Sequence, residues 1–193
     1  PWQFRVASPV PQVGHIYGLG VAGYWGSTIE IEAVVHPLGN REKGTIHFND
    51  TAGSMARDSV TNASSVVCMI TGKNLSDYDV YVNVVGGGNI DGPSAGAAIT
   101  CAIISALTGK PLRQDIAVTG EISLSGRIKP VGGIAEKAFG AHQGGMKAIL
   151  IPKQNAPDMG SEYMHMKVIP VDTIQDILEH MLVRKKQKMK GSK

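Results

Sequence analysis

Residues 84–100 read VVGGGNIDGPSAGAAIT. A strand-like run ends at Val85, three glycines follow, and Asp91-Gly92-Pro93-Ser94-Ala95-Gly96 leads into an alanine-rich apolar segment. Pro93 suits a first helical turn, so Ser94 falls at a helix start. Unsatisfied N–H groups and the helix dipole favour developing negative charge there. A strand, a glycine loop and a buried helix in succession point to an α/β or α+β fold.

Three chemistries use such a loop. A phosphate cradle of the form GxxxxGK[ST] aligns with Gly87–Ser94, except that Pro93 stands where the lysine belongs. Proline has neither the charge nor the N–H that a phosphate needs. A hydrolase elbow is the second candidate, because Gly92-Pro93-Ser94-Ala95-Gly96 satisfies GxSxG. That turn follows its strand directly, whereas Gly86–Asp91 intervene here. Asp158 and His165 supply a nominal downstream pair, yet short combinations of this kind are common in any chain.

The third candidate is a serine activated by lysine. A hydroxyl becomes a nucleophile when a base takes its proton, and a lysine serves if burial keeps it neutral. Lys137 fits, on a short helical segment flanked by Ile134, Ala138 and Phe139 and bracketed by paired glycines. Lys110, Lys129, Lys147 and Lys153 sit beside turns or prolines, where solvent is expected.

The rest of the chain sets the frame. Its 193 residues, 42% hydrophobic and 18% charged, suit one globular domain with a core. The formal charge of +3 comes from the end of the chain. Six of the 19 Lys and Arg follow Val183, leaving 13 basic against 16 acidic residues, net −3. A basic face for nucleic acid is therefore not expected on the body, and residues 183–193 read as a basic mobile tail. No apolar run is long enough to span a membrane, and no signal peptide is evident. Cys68 and Cys101 read as buried reduced thiols, consistent with the cytoplasm. The histidines form no metal motif. Beginning at Pro1, the chain reads as part of a longer protein, with residues 1–15 a linker or lead-in.

Strands are expected over 17–23, 27–35, 44–49, 79–85, 146–152 and 167–171, with two short ones around Gly126. Helices are expected over 52–70, 95–107, 134–143 and 172–182, the last with Asp172 as N-cap.

The combination of NIDGPSAGAAIT (89–100) and AVTGEISLSGRIKPVGGIAEKAFGAHQGGMKAILIP (117–152), with Lys137 43 positions after Ser94, resembles the proteolytic domain of Lon proteases, most like the bacterial LonB branch, over about residues 16–182. The resemblance implies mixed sheets packed with helices in a single domain, and a serine endopeptidase with a Ser94–Lys137 dyad. It implies an oxyanion site at the backbone N–H groups of Ser94 and Ala95. Thr119 would orient the lysine, with Glu121 and Asp91 nearby and Asp91 a brake or anchor. Some members carry two histidines on the preceding strand, where this chain has Tyr81 and Asn83. The resemblance further implies unfolded or damaged polypeptides as substrates, a homo-hexameric ring and an upstream ATPase module using ATP and Mg. This chain has no Walker motif, and no cofactor is expected in it. The alternative is a non-catalytic ring-forming scaffold of the same fold.

Overall fold

A computed structural model describes residues 5–22, 24–49, 54–85 and 92–183. Its strands are β1 (Ser8–Gln12), β2 (His15–Ala22), β3 (Trp25–Pro37), β4 (Ile46–Phe48), β5 (Tyr78–Val85), β6 (Leu112–Gln114), β7 (Ile116–Val118), β8 (Glu121–Ile122), β9 (Ile128–Lys129), β10 (Ala148–Pro152), β11 (Glu162–Tyr163) and β12 (Met166–Val171). The helices are α1 (Ser54–Thr71), α2 (Gly96–Thr108), α3 (Ile134–Gln143) and α4 (Ile174–Met181).

Eight strands form one mixed sheet in the order β11-β12-β10-β7-β2-β3-β5-β4. β2, β3 and β5 run as an antiparallel meander, while β2, β7, β10 and β12 pair in parallel. The parallel half needs long crossovers, and these carry α2, α3 and the 3₁₀ segment after β10. β8 and β9 make a small separate hairpin, and β1 pairs with β6.

Alternation along the strands separates two apolar cores. Ile29, Ile31 and Ala33 of β3, Val80, Val82 and Val84 of β5, and Ile116 and Val118 of β7 pack with α1, α2 and α4. Leu19, Ala117, Ile149, Ile151, Met166 and Val168 point the other way, against Ile134, Ala138 and Ala141 of α3. The sheet thus has three helices on one face and α3 on the other. The expected mixed α/β class is the observed one.

Several local expectations need correction. Residues 8–12, read as lead-in, form β1, because β6 supplies the partner that a proline-rich stretch needs to stay extended. Cys68 is exposed, and only Cys101 is buried. Val60, Ala63, Val66 and Val67 form the inward stripe of α1, and Cys68 lies off that stripe. The N-cap of α4 is Thr173, not Asp172. The Asp172 carboxylate instead meets Arg127 at 2.9 Å, while Thr173 and Asp176 form a reciprocal capping box. The basic tail from residue 184 and the glycine loop Gly86–Asp91 lie outside the described residues.

Candidate active site

Ser94 lies in a 3₁₀ turn, Gly92–Ala95, that runs directly into α2. The turn is tied to a distant segment by two backbone bonds. Gly120 N–H donates to the Ser94 carbonyl and Ala97 N–H donates to the Gly120 carbonyl, each at 3.0 Å. The adjoining Thr119 N–H donates to the Leu150 carbonyl at 3.1 Å, which anchors this exit from β7 to β10. Ser94 is buried, with 5% of its surface exposed.

Val118 faces the α2 core, so the next residue, Thr119, turns toward the face that α3 covers. Thr119 is fully buried, and its hydroxyl has no hydrogen-bond partner among the described residues. A buried hydroxyl of that kind is costly unless another group uses it. Glu121 follows on β8, half-buried, in register with Lys129 of β9. Beside this hairpin lies an open groove of roughly 970 Å³ lined by Glu121, Ser123, Arg127, Lys129 and Gln154, among others.

Lys137 lies in the first turn of α3, where its N–H donates to the Gly133 carbonyl at 2.9 Å. Its side chain is fully buried, and it is the only buried lysine among the described residues. Lys110, Lys129, Lys147 and Lys153 are exposed, as their neighbouring turns imply. A lysine at this depth is removed from the hydration that an ammonium group keeps at the surface.

Two glycines explain how the helix reaches this depth. A Cβ on Gly26 of β3 would fall 1.6 Å from the Glu136 carbonyl oxygen and 3.0 Å from the Lys137 nitrogen. The α3 backbone therefore lies directly on the β3 backbone at the lysine. Gly133 caps the helix at φ 69°, and a Cβ there would also meet Val21 at 2.8 Å. The loop before it is clamped by Asn155, which is buried. Asn155 accepts from the Val131 N–H at 2.9 Å and donates to the Val131 carbonyl at 2.8 Å. Asp158 accepts from the same amide at 2.7 Å, fixing which end is the donor.

Ser94 thus stands at the start of α2, on one face of the sheet, Lys137 lies on α3, on the other face, and the exit from β7 that carries Thr119 is tied to the serine turn through Gly120. Ala95 is buried beside Ser94, and its backbone dihedrals (φ −87°, ψ −3°) turn the chain into α2. Asp91 lies outside the described residues. Tyr81, one of the two residues at the histidine positions, is half-exposed and stacks on His47 with ring centroids 4.6 Å apart. Sequence reading missed Gly26 and Asn155. A glycine inside a strand is a signal for close backbone approach, whereas Asn155 carries no local signal. No described helix is long and apolar enough to cross a membrane.

Residues 2–184 match the family model of the Lon protease (S16) C-terminal proteolytic domain. The chain is similar to the archaeal Lon protease of Pyrococcus abyssi, at 35% identity over 182 residues, covering 92% of this chain and 18% of that protein. The archaeal Lon protease of Archaeoglobus fulgidus is 36% identical, over 92% of this chain and 29% of its own length. Lon protease 2 of Bacillus subtilis is 38% identical over 188 residues, covering 90% of this chain and 34% of that protein. The chain spans between 18% and 34% of the length of these relatives. On the evidence of its match across nearly the whole length, with a mixed sheet and helices consistent with it, the chain belongs to the family of Lon protease C-terminal proteolytic domains.

Proposed function

We propose that this chain is a serine endopeptidase domain that cleaves unfolded or damaged polypeptides through a Ser94–Lys137 dyad. The observation that carries the proposal is the complete burial of Lys137 in a chain whose other described lysines lie at or near solvent.

Ser94 Oγ attacks the scissile carbonyl carbon while neutral Lys137 Nζ takes the hydroxyl proton. The carbonyl oxygen becomes an oxyanion beside the helix start, facing the backbone N–H groups of Ser94 and Ala95. The C–N bond then breaks. The proton on Lys137 passes to the leaving amine, and the acyl group stays as an ester on Ser94. Water attacks the ester, Lys137 takes its proton, and that proton returns to Ser94 Oγ as the acid product leaves. Thr119 Oγ1 is the orienting partner for the lysine amine, with its own bonding capacity otherwise unspent. Glu121 and Asp91 act around the dyad, Asp91 as a brake or anchor.

The longer relatives support a wider setting. In it the domain sits in a homo-hexameric ring in the cytoplasm, joined to an ATPase module that uses ATP and Mg to unfold substrates. The chain itself needs no cofactor for the chemistry above.

The test is cleavage of casein and short fluorogenic peptides by Ser94→Ala and Lys137→Ala variants. Each is expected to lose about 10³-fold or more in kcat. Thr119→Val is expected to fall about 10-fold, in line with the lower range of acid–base effects. Wild-type turnover in both dyad variants overturns the proposal. Absence of turnover in the wild type, with the ring intact and the ATPase module present, favours a non-catalytic scaffold.

A further inference from the structure

Away from the dyad, the antiparallel pair β2–β3 gathers three metal-ligating side chains on the α3 face of the sheet. His15 stands opposite Glu32, and Glu30 stands opposite Tyr17, one cross-strand step along. One donor atom from each of His15, Glu30 and Glu32 lies within 4.8 Å of the other two. His15 is 6% exposed, Glu30 half-buried and Glu32 exposed. The group is thus anchored in the sheet and open to solvent on one side.

The histidine is held by a partner outside the cluster. Its Nδ1 faces Gln114 Oε1. The Gln114 amide is itself fixed, because its Nε2 donates to the His15 carbonyl at 2.8 Å and to the Leu112 carbonyl at 3.0 Å. Oε1 is therefore an acceptor and Nδ1 carries its proton. Gln114 is buried, so no solvent competes for this bond. The remaining nitrogen, Nε2, points into the carboxylates and lies 2.7 Å from Glu30 Oε1. A ring whose outer N–H is locked on a carbonyl-type oxygen is the usual support of a metal-bound histidine.

A proton on Nε2 satisfies Glu30 alone and leaves the three groups with a net negative charge. A divalent cation neutralises both carboxylates and uses the Nε2 lone pair. One imidazole and two carboxylates form a borderline donor set suited to zinc-class transition ions rather than to magnesium. We propose that His15, Glu30 and Glu32 form a site for a divalent transition-metal ion that cross-links β2 and β3, with Gln114 as its supporting shell. The site serves the strand pair that also carries Gly26, and it stands apart from the proteolytic proposal.

Zinc titrated into chelator-treated chain, followed by calorimetry and by thermal unfolding, tests this. Binding of one ion at micromolar concentration is expected, with a rise in Tm, and magnesium at the same concentration is expected to give neither. Glu30→Gln and Glu32→Gln, both reaching solvent and compatible with folding, are each expected to weaken zinc binding at least 10-fold, in line with loss of a ligand. No saturable binding below about 100 µM overturns the proposal, since that is far weaker than a built zinc site. Binding that both variants leave unchanged also overturns it, placing the ion elsewhere, for example on the exposed His36 and His47.

Discussion

One half of the proposed dyad stands in the turn that opens α2 and the other lies on α3, and the two helices reach the interior by different means. α2 is apolar almost all round, with eleven of its thirteen residues buried. Its position follows from its composition, since every face must find apolar cover. α3 buries only Ile134, Lys137, Ala138, Gly140 and Ala141. Its outer face carries Ala135 and Glu136 in solvent, and composition alone would place Lys137 with them. What draws the lysine inside is the absence of a side chain on Gly26, together with Gly140 of α3, where a Cβ would fall 2.4 Å from the Gly26 carbonyl carbon. Burial of α2 is a property of the helix. Burial of Lys137 is a property of the surface beneath it.

That contrast can be broken by substitution. Ile103→Ala removes a fully buried side chain from α2 and is expected to cost about 2–5 kcal/mol of stability. Chemical denaturation should show the loss, while turnover per folded molecule stays near wild type. Gly26→Ala should do the reverse. The new methyl collides with the Glu136 carbonyl, so α3 must lift from the sheet and carry Lys137 with it. A stability cost of about 1–3 kcal/mol is expected from overpacking, with a disproportionate fall in kcat. If Gly26→Ala keeps full activity, the glycine contact does not set the lysine.

α4 offers the smallest effect and a control, because neither α2 nor α3 has a side-chain cap bond, whereas α4 does. Thr173→Ala is expected to cost about 1 kcal/mol, a Tm drop of about 2–4 °C, with activity unchanged. The Asp176 carboxyl is held below its ordinary pKa by the Asp172 N–H first, against the opposing effect of burial, and by Thr173. A group lowered in the folded state stabilises above its unfolded pKa, about 3.9, and that contribution is lost as pH falls through the lower folded value. Asp176→Asn should therefore lose stability at neutral pH and flatten this part of the acid-side decline, measured by Tm against pH.

Much of the fold around the candidate site was legible because its signals are local. The period-2 pattern of Ile29, Ile31 and Ala33 marks their shared face without any partner in view. The turn residues around Lys110, Lys129, Lys147 and Lys153 likewise mark those lysines as exposed. What failed to show were features made by distant segments. β1 exists because β6 pairs with it 100 residues later in the chain. Asp172 looked like a cap because its competitor, Arg127, belongs to another hairpin. The tie between Ser94 and Gly120 joins two backbones, and backbone groups leave no trace in residue identity.

That same tie has a consequence in time. The Ser94 carbonyl is seated by Gly120, and the segment of Gly120 is seated by Leu150. During synthesis the serine turn leaves the ribosome well before the strand that completes its support. Contacts so far apart along the chain form late, after the costs of closing the intervening loops are met. Ser94 therefore has no fixed seat while the chain around it is still unfolded. On the proposed function, a domain that cuts unfolded polypeptide would acquire its cutting geometry only once it has ceased to be one.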